Sequence, residues 1–405
     1  MKILIDGQTL ATPDIQRGIG KYFITIVEQI LAADFTTDFF LYAPARANLD
    51  ELSPWARRKL CVIRAPEFPV TDQFKPDEGA AKYSESVNGV IDELGIDVYW
   101  SPNGLMNNVF LPTKRATRCQ FAVTIFDLIP AVMESHFEKH WPPEAFKQYR
   151  AKLKALESEY DLFFHISNHT RDDFNRLLNV SRKQHVVTPL AAGTRYRPYP
   201  FPHVVGDPYI VYPGGFDPRK NMPRALEAFA ELHRKYASHQ NVARTELLLV
   251  CHADRDSEIE IRNAAQALGI DNKLKLAGFV TESELVTIYQ KARCLFFPSL
   301  YEGFGLPVIE GLACGQPVAA SNTSSIPEVA GDFAFYFDPL NIGQMADALF
   351  QALQSPMDFE SRQRRYQYSQ KFSWRNIAHA TLQAFTDCIQ ASNRNKVSAV
   401  TVAKT

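Results

Sequence analysis

Residues 294–321, CLFFPSLYEGFGLPVIEGLACGQPVAAS, contain a complete strand-loop-helix-strand unit. The apolar run CLFFPS predicts a buried strand, Pro307 suits the first position of a helix, and Gly315 suits the stop at its C-terminus. The apolar run QPVAAS predicts the next strand. Short apolar strands that alternate with helices are typical of β-α-β units on a parallel sheet, so this stretch predicts an α/β fold.

The same alternation extends outward from this unit through both halves of the chain. KILIDG, DVYWSPN and QFAVTIFDLIP are strand-like runs of the first half, and YIVYPGG and TELLLVCHA are such runs of the second. Between the halves, the proline-rich segment RYRPYPFPHVVGDP interrupts both helix and sheet. We therefore predict two doubly wound, Rossmann-like α/β domains that face a central cleft, with ligands bound at the carboxyl ends of the strands.

The predicted domain boundaries follow from these composition changes. We predict an N-terminal domain, a proline-rich linker, a C-terminal domain, an amphipathic helix that packs back on the first domain, and a disordered polar tail. Their ranges are 1–195, 196–207, 208–375, 376–392 and 393–405.

Composition restricts the class of protein and its partners. The 405 residues are 46% hydrophobic and 22% charged, which is enough apolar content for full-sized cores. The net charge of −1 gives no reason to expect nucleic acid as a partner. The six cysteines are scattered, without a C-x-x-C pair, and no apolar run approaches the roughly 18 residues of a membrane span. We expect a cytoplasmic protein without a leader segment.

The loop of the opening stretch has the composition of a binding site. Gly303 and Gly305 allow the main chain to approach a ligand closely, and the following helix start offers N–H groups to a phosphate or a polyol. Glu302 lies in the loop and Glu310 is predicted on the first helical turn, so the two acids can contact different parts of one ligand. The alternative is that Glu302 is solvent-exposed and that Glu310 only complements the helix dipole.

The segment EGFGLPVIEGLACGQPVAASNTSSIPEVAGDFAFYFDP resembles the signature of the retaining nucleotide-sugar glycosyltransferases of family 4, which have the two-domain GT-B fold. Glu302 and Glu310 match the E-x7-E spacing of that family. YPGGFDPRKN, FVTESELVTIYQKA and FSWRNIA resemble further elements of it, so the resemblance covers 208–390. RGIGKY and TIFDLIP in the first domain resemble the family more loosely.

The resemblance implies that 1–195 is the acceptor-side domain and that 208–375 is the nucleotide-sugar-binding domain. It also implies roles for individual residues. Glu302 would hold hydroxyls of the donor sugar, and Glu310 would accept hydrogen bonds from the ribose. Lys220 would neutralise the leaving diphosphate, a role that a metal-free enzyme must assign to cationic side chains. The alternative for Lys220 is a solvated turn residue. The main-chain amides that would line the sugar and the diphosphate belong to Gly303, Phe304, Gly305 and Leu306.

The chain departs from the family pattern at two positions. The family arginine after the first loop glycine is replaced by Gly215, and we expect Arg219 to reach the phosphates instead. The family histidine before the aspartate of the first domain is replaced by Phe126. We expect Asp127 to orient the donor or the acceptor, with an N-cap or a turn role as the alternative.

Four more residues are candidates for contacts with the donor. Gly18 and Gly20 begin the first helix, where they could admit the diphosphate or serve only close packing of helix against strand. Phe279 and Val280 follow the strand KLKLAG and are predicted to flank the nucleobase. We predict no metal and no other cofactor.

The long helix near residues 143–160 carries Lys147, Arg150 and Lys154 on one face. This basic face is either solvated or meets anionic lipid head groups or a lipid-linked acceptor at the inner membrane.

Three functions remain open at the level of sequence. The first is a retaining hexosyltransferase that uses a nucleotide-sugar, with GDP-mannose as the leading donor by resemblance, and a saccharide or lipid-linked saccharide as acceptor in polysaccharide or O-antigen-type synthesis. The second is a nucleotide-sugar epimerase or hydrolase of the same architecture. The third is a non-catalytic sugar-nucleotide-binding subunit. The sequence leaves the oligomeric state open.

Overall fold

The chain forms two compact units, one made of Met1–Leu190 with Trp374–Thr405 and the other of Ala191–Ser373. The computed structural model describes residues 1–16, 18–66, 76–106, 109–115, 118–137, 141–199, 207–251 and 254–402.

The first unit contains a seven-stranded parallel sheet in the order β3-β2-β1-β4-β5-β6-β7. Its strands are β1 (Lys2–Asp6), β2 (Asp38–Pro44), β3 (Cys61–Ala65), β4 (Val98–Ser101), β5 (Gln120–Ile125), β6 (Leu162–His165) and β7 (Gln184–Val187). Its helices before the second unit are α1 (Gly18–Ala33), α2 (Pro54–Lys59), α3 (Pro76–Leu94), α4 (Ile129–Val132), α5 (Glu134–Phe137), α6 (Pro143–Glu159) and α7 (Asn168–Leu177).

The second unit contains a six-stranded parallel sheet in the order β10-β9-β8-β11-β12-β13. Its strands are β8 (Tyr209–Tyr212), β9 (Glu246–Leu249), β10 (Leu274–Leu276), β11 (Cys294–Phe297), β12 (Val318–Ser321) and β13 (Ala334–Phe337). Its helices are α8 (Met222–Lys235), α9 (Gln240–Ala243), α10 (Arg255–Ala267), α11 (Glu282–Lys291), α12 (Leu306–Ala313), α13 (Ile326–Ala330), α14 (Ile342–Gln354) and α15 (Phe359–Ser369).

Strands β5, β11 and β12 are buried along their whole length. A parallel strand that helices cover on both faces has no polar side, which is why these strands read as continuous apolar runs rather than as alternating ones. The prediction of two parallel-sheet, Rossmann-like α/β domains is confirmed.

The strand order places two loops of the second unit side by side. Strands β9 and β10 extend the sheet on one side of β8. Strands β12 and β13 extend it on the opposite side, beyond β11. Since β8 and β11 are paired neighbours, the loops that follow them start from adjacent strand ends. This reversal point is where doubly wound sheets bind their ligands.

The boundary between the units differs from the predicted one. The second unit begins at Ala191, so residues 196–199 belong to it rather than to a linker, and residues 200–206 lie outside the described part of the chain. Tyr196 is only 3% exposed, and its ring lies 6.0 Å from that of Tyr289 on α11. Burial of this aromatic side chain explains why a proline-rich segment can still pack as part of a domain.

The last helix, α16 (Trp374–Val402), belongs to the first unit. The Trp374 ring lies 5.9 Å from Tyr22 on α1, and Phe385 packs 5.6 Å from Trp100 on β4. The helix is longer than the predicted 376–392 and continues through most of the predicted tail. The physical reason is that no glycine or proline stands between its first and last residues.

Candidate active site

The loop after β11, which carries Glu302, is held by two serines of the loop after β12. The Glu302 N–H donates to Ser324 Oγ at 3.0 Å, and the Ser325 hydroxyl donates to the carbonyls of Glu302 at 2.9 Å and Phe304 at 2.8 Å. Ser325 is fully buried. The main chain on either side of Gly303 is therefore held by hydrogen bonds within the protein, as a preorganised cradle requires.

The loop after β8 presents the two predicted cations from a short 3-10 turn. Its N-cap is Asp217, whose carboxylate accepts from the Arg219 N–H at 3.1 Å. Asn221 ends the turn in the left-handed region with φ of 63°. The buried Asn221 amide donates to the carbonyls of Pro298 at 3.1 Å and Pro339 at 2.7 Å. The turn is thus tied to the ends of β11 and β13.

Three of the predicted catalytic residues meet in one ion cluster at the ends of β8 and β11. The Lys220 ammonium donates to Glu302 Oε1 at 2.6 Å, and Arg219 Nη1 donates to Glu302 Oε2 at 3.1 Å. Arg219 Nε also donates to Asp217 Oδ2 at 2.7 Å. Each oxygen of Glu302 therefore has its own cation, and Asp217 fixes the orientation of the guanidinium.

The charge of Glu302 is maintained although the side chain is only 7% exposed. Burial disfavours the carboxylate, but the Lys220 ammonium, the Arg219 guanidinium and hydrogen bonds from Lys220 and Ser299 together lower the pKa of Glu302 below its ordinary value. The interpretation of Glu302 as a solvent-exposed acid is therefore wrong. Lys220 is 18% exposed and partnered by this acid, so it is not a solvated turn residue either.

The helix that follows the loop begins as predicted but places Glu310 differently. Gly305 is the N-cap of α12 with φ of 101°, a conformation that favours glycine. The first helical residue is Leu306, so Glu310 lies in the second turn rather than the first. It is 8% exposed. The effect of a helix dipole falls off within the first turn, so complementing the dipole does not explain this buried acid.

The two glycines after β8 differ in whether packing requires them. A Cβ at Gly214 would lie 2.4 Å from the Tyr212 ring, so close packing requires glycine there. A Cβ at Gly215 would meet nothing within 4 Å. The position of the missing family arginine is therefore open, and packing does not explain its glycine.

The two residues predicted to flank the nucleobase follow the end of β10. The Phe279 side chain is 80% exposed, and Val280 is half-buried. A large exposed aromatic ring is compatible with stacking on a base, and the assignment stays a prediction.

Two of the three candidates in the first unit, Asp127 and Gly20, have local structural roles. Asp127 Oδ1 accepts from the Ile129 N–H at 3.1 Å, the pattern of an Asx turn, which agrees with the alternative interpretation. A Cβ at Gly20 would lie 2.0 Å from the Ile15 carbonyl oxygen, so packing alone requires this glycine. A Cβ at Gly18 would meet nothing within 4 Å. Gly18 is the one of these three whose identity local packing leaves unexplained.

The basic face of α6 is partly neutralised by neighbouring acids. Arg150 forms an ion pair with Glu134, and the Lys147 ammonium lies 3.5 Å from Glu144. Lys154 is exposed. These contacts favour the solvated face, and the contact with lipid stays a prediction.

Sequence reasoning missed Asp217, Asn221, Ser324 and Ser325. The first two flank the predicted cations in FDPRKN, where an Asp-Pro pair and an Asn before a helix indicate a capped turn. The serines lie in SNTSS, a polar cluster that indicates a loop after a strand. What joins them to Glu302 is strand order, which no local pattern encodes.

The residues that the structure describes contain no group of three histidine, cysteine, aspartate or glutamate side chains that could hold a metal ion. Within the same residues no helix has the length and hydropathy needed to cross a bilayer.

The chain is similar to known proteins in sequence and in structure. Residues 200–372 match the family Glycosyl transferases group 1. The O-antigen chain mannosyltransferase B of Escherichia coli is 29% identical over 57% of this chain, and the chain spans 63% of the length of that relative.

Solved structures match over nearly the whole chain. A sucrose-phosphate synthase from Thermosynechococcus elongatus has a TM-score of 0.72 at 20% identity, over 96% of this chain and 100% of that one. WaaG, a glycosyltransferase involved in lipopolysaccharide biosynthesis, has a TM-score of 0.66 at 15% identity, over 95% of this chain and 100% of that one.

The fold is the two-domain GT-B fold of these solved structures. Residues 200–372, which hold the ion cluster and Glu310, are a domain of the Glycosyl transferases group 1 family. The resemblance to the glycosyltransferases of family 4 is consistent with this match.

Proposed function

We propose that the protein is a retaining hexosyltransferase that transfers a sugar from a nucleotide-sugar to a saccharide or lipid-linked saccharide. The observation that carries the proposal is the cluster of Glu302, Lys220 and Arg219 at the reversal point of the second sheet, inside a glycosyl transferases group 1 domain. A buried acid with a cation on each oxygen combines an acceptor for sugar hydroxyls with charges for a phosphate.

The chemistry needs such an arrangement because negative charge develops on the departing diphosphate. The bond from the anomeric carbon to the phosphate oxygen breaks, and a bond from that carbon to the acceptor oxygen forms on the same face. The proton of the acceptor hydroxyl passes to the leaving phosphate, so no strong protein base is required. Lys220 and Arg219 would stabilise the leaving group from positions that are set in advance.

The ion cluster has a further consequence for the order of events. Glu302 accepts a hydrogen bond from each of the two cations. A bound diphosphate would take over part of these hydrogen bonds and free the Glu302 oxygens for hydroxyls of the sugar. Glu302 is thus proposed to exchange partners as the donor binds.

GDP-mannose is the proposed donor. The support is the mannosyltransferase among the curated relatives, whose name also links it to O-antigen chains. All six cysteines are free and five are buried, which suits a reducing compartment, and we propose that the enzyme acts in the cytoplasm. Contact with the inner membrane through the basic face of α6 is proposed only for a lipid-linked acceptor.

The test is a thermal-shift panel of GDP-, UDP-, ADP- and dTDP-sugars, followed by a transfer assay with the donor that binds. A ligand at 100 times its dissociation constant stabilises the folded state by about 2.7 kcal/mol. A shift with GDP-mannose and transfer to a saccharide is the expected result. Turnover of donor without acceptor would favour a hydrolase, and absence of any shift would contradict donor binding.

A further inference from the structure

Two adjacent serines in the loop after β12, Ser324 and Ser325, each depart from a local preference. Ser324 has φ of 53°, in the left-handed region. Among the described residues that are not glycine, only Asn221 shares a positive φ, and asparagine adopts this conformation more readily than serine. Backbone strain of this kind persists only where surrounding contacts impose it. Contacts, rather than intrinsic preference, therefore hold Ser324 in its conformation.

Ser325 does not use its hydroxyl in the way that its sequence favours. The segment SIPE, from Ser325 to Glu328, has the spacing of a capping box, and Ser325 is the N-cap of α13. Within the described residues, the Ser325 hydroxyl makes no capping bond to that helix. The segment TESE, from Thr281 to Glu284, has the same spacing and does form the box at the start of α11. The Ser325 hydroxyl thus serves another partner although the local pattern favours a cap.

Both hydroxyls bind the main chain around Glu302. The Glu302 N–H donates to Ser324 Oγ at 3.0 Å. The buried Ser325 hydroxyl donates to the carbonyls of Glu302 at 2.9 Å and Phe304 at 2.8 Å. Because peptide groups are planar, fixing the N–H and the carbonyl of Glu302 also orients its Cα–Cβ bond. Two consecutive residues of another loop therefore determine where the Glu302 carboxylate can reach.

We propose that Ser324 and Ser325 are positioning residues that orient the Glu302 carboxylate, and that the fold loses local stability at both positions for this purpose. The inference rests on the proposed function, in which Glu302 accepts hydroxyls of the donor sugar. A displacement of about 1 Å at such a group is enough to slow a reaction about 100-fold. The two cations do not share this dependence on the serines, because the turn after β8 has hydrogen bonds of its own.

The test compares Ser324→Ala with Ser324→Gly in the full chain. Both changes remove the oxygen that accepts from Glu302, but only glycine adopts a φ of 53° without steric cost. Ser324→Gly should therefore melt at a higher temperature than Ser324→Ala. Both should release GDP from saturating GDP-mannose about 10-fold more slowly than the wild type, because the Glu302 carboxylate is no longer held in place.

Release of GDP is measured with methyl α-mannoside as acceptor, at a temperature where every variant is folded. If the thermal-shift panel identifies another donor, that donor replaces GDP-mannose. Calorimetry gives the Kd for GDP, which should be unchanged in both variants because GDP lacks the transferred sugar.

Two further variants complete the comparison. Ser325→Ala should slow the release of GDP and leave the Kd for GDP unchanged, for the same reason. Asp358 is an N-cap that does serve its own helix, since its carboxylate accepts from the Ser361 N–H at 2.9 Å at the start of α15. Asp358→Ala should therefore lower the melting temperature and leave both the release and the binding of GDP unchanged.

The possible results separate the two proposals. Release rates that follow the melting temperature, with Ser324→Gly close to the wild type, would overturn the positioning role and leave the proposed function standing. An affinity for GDP that falls as much as the rate would do the same. If the wild type binds no donor of the panel, or releases no nucleoside diphosphate from it, the proposed function is overturned, and this inference with it.

Discussion

Glu302 and Glu310 belong to one loop and helix and are almost equally buried, but their surroundings differ in kind. Glu302, 7% exposed, has a lysine and an arginine within hydrogen-bond distance. Glu310, 8% exposed, lies beside the hydroxyls of two buried tyrosines. Cations make the first carboxylate part of an ion cluster, whereas the phenol hydroxyls near the second are neutral groups. The seven-residue spacing between Glu302 and Glu310 therefore does not assign a role to either acid, because their surroundings in the fold differ.

The largest effect should come from Glu302→Gln, which keeps the shape and removes the charge. We expect transfer to fall on the order of 100-fold, because sugar hydroxyls lose a charged acceptor near the reacting carbon. Binding of GDP alone should hold or tighten, because Lys220 and Arg219 are released from competition. Steady-state kinetics and calorimetry measure the two quantities. Equal weakening of both would mean that Glu302 serves only to maintain the fold.

Lys220→Ala should weaken the binding of GDP by about 10-fold and leave that of guanosine unchanged, because the cation acts on the diphosphate. Lys235→Ala is the matched control, since Lys235 forms its ion pair with Asp347 on the surface of the same unit. A loss that is equal for GDP and guanosine would contradict contact between Lys220 and the phosphates.

The helix that carries Glu310 can be tested at its other end. Arg362 on α15 donates to the Cys314 carbonyl at 3.1 Å and to the Gln290 carbonyl at 3.2 Å. Arg362→Met should reduce the free energy of unfolding by about 1.5–3 kcal/mol, the contribution of hydrogen bonds that involve a charged group. Urea denaturation measures it, with the exposed Arg364→Met on the same helix as control. An equal effect of both changes would rule out this capping role.

The smallest effect concerns pH and stability. The pKa of Glu302 is lowered in the folded state, so its ion pairs stabilise the fold above the ordinary glutamate pKa of 4.5. This contribution is lost as the pH falls from 4.5 through the lowered value. Between pH 7 and acid, the unfolding free energy of the wild type should therefore fall more than that of Glu302→Gln. Parallel pH curves for the two proteins would contradict the shift.

Much of the fold could be predicted because buried parallel strands appear in the sequence as continuous apolar runs. The apolar runs of β11 and β12, with Pro307 and Gly315 between them, identify a β-α-β unit without any tertiary information. The cluster could not be predicted in this way. Lys220 and Glu302 are 82 residues apart, and only the pairing of β8 with β11 brings them together.

The predictions that failed concern boundaries and surroundings. The proline-rich segment predicts a linker, but burial of Tyr196 assigns its first part to the second unit. The last helix continues to Val402 because its sequence contains no glycine or proline, the residues that mark the end of a helix. Gly20 is similar to a binding glycine in sequence, and only the nearby Ile15 carbonyl reveals its packing role.

The Asn221 amide, which joins the loops after β11 and β13, limits how this domain can be redesigned. This one side chain donates to the Pro298 and Pro339 carbonyls, and Asn221 is next in sequence to Lys220. We therefore expect an insertion or graft in the loop after β13 to displace Lys220 through Asn221. Libraries meant to change substrate choice should keep the length of that loop and vary the open position at Gly215 instead.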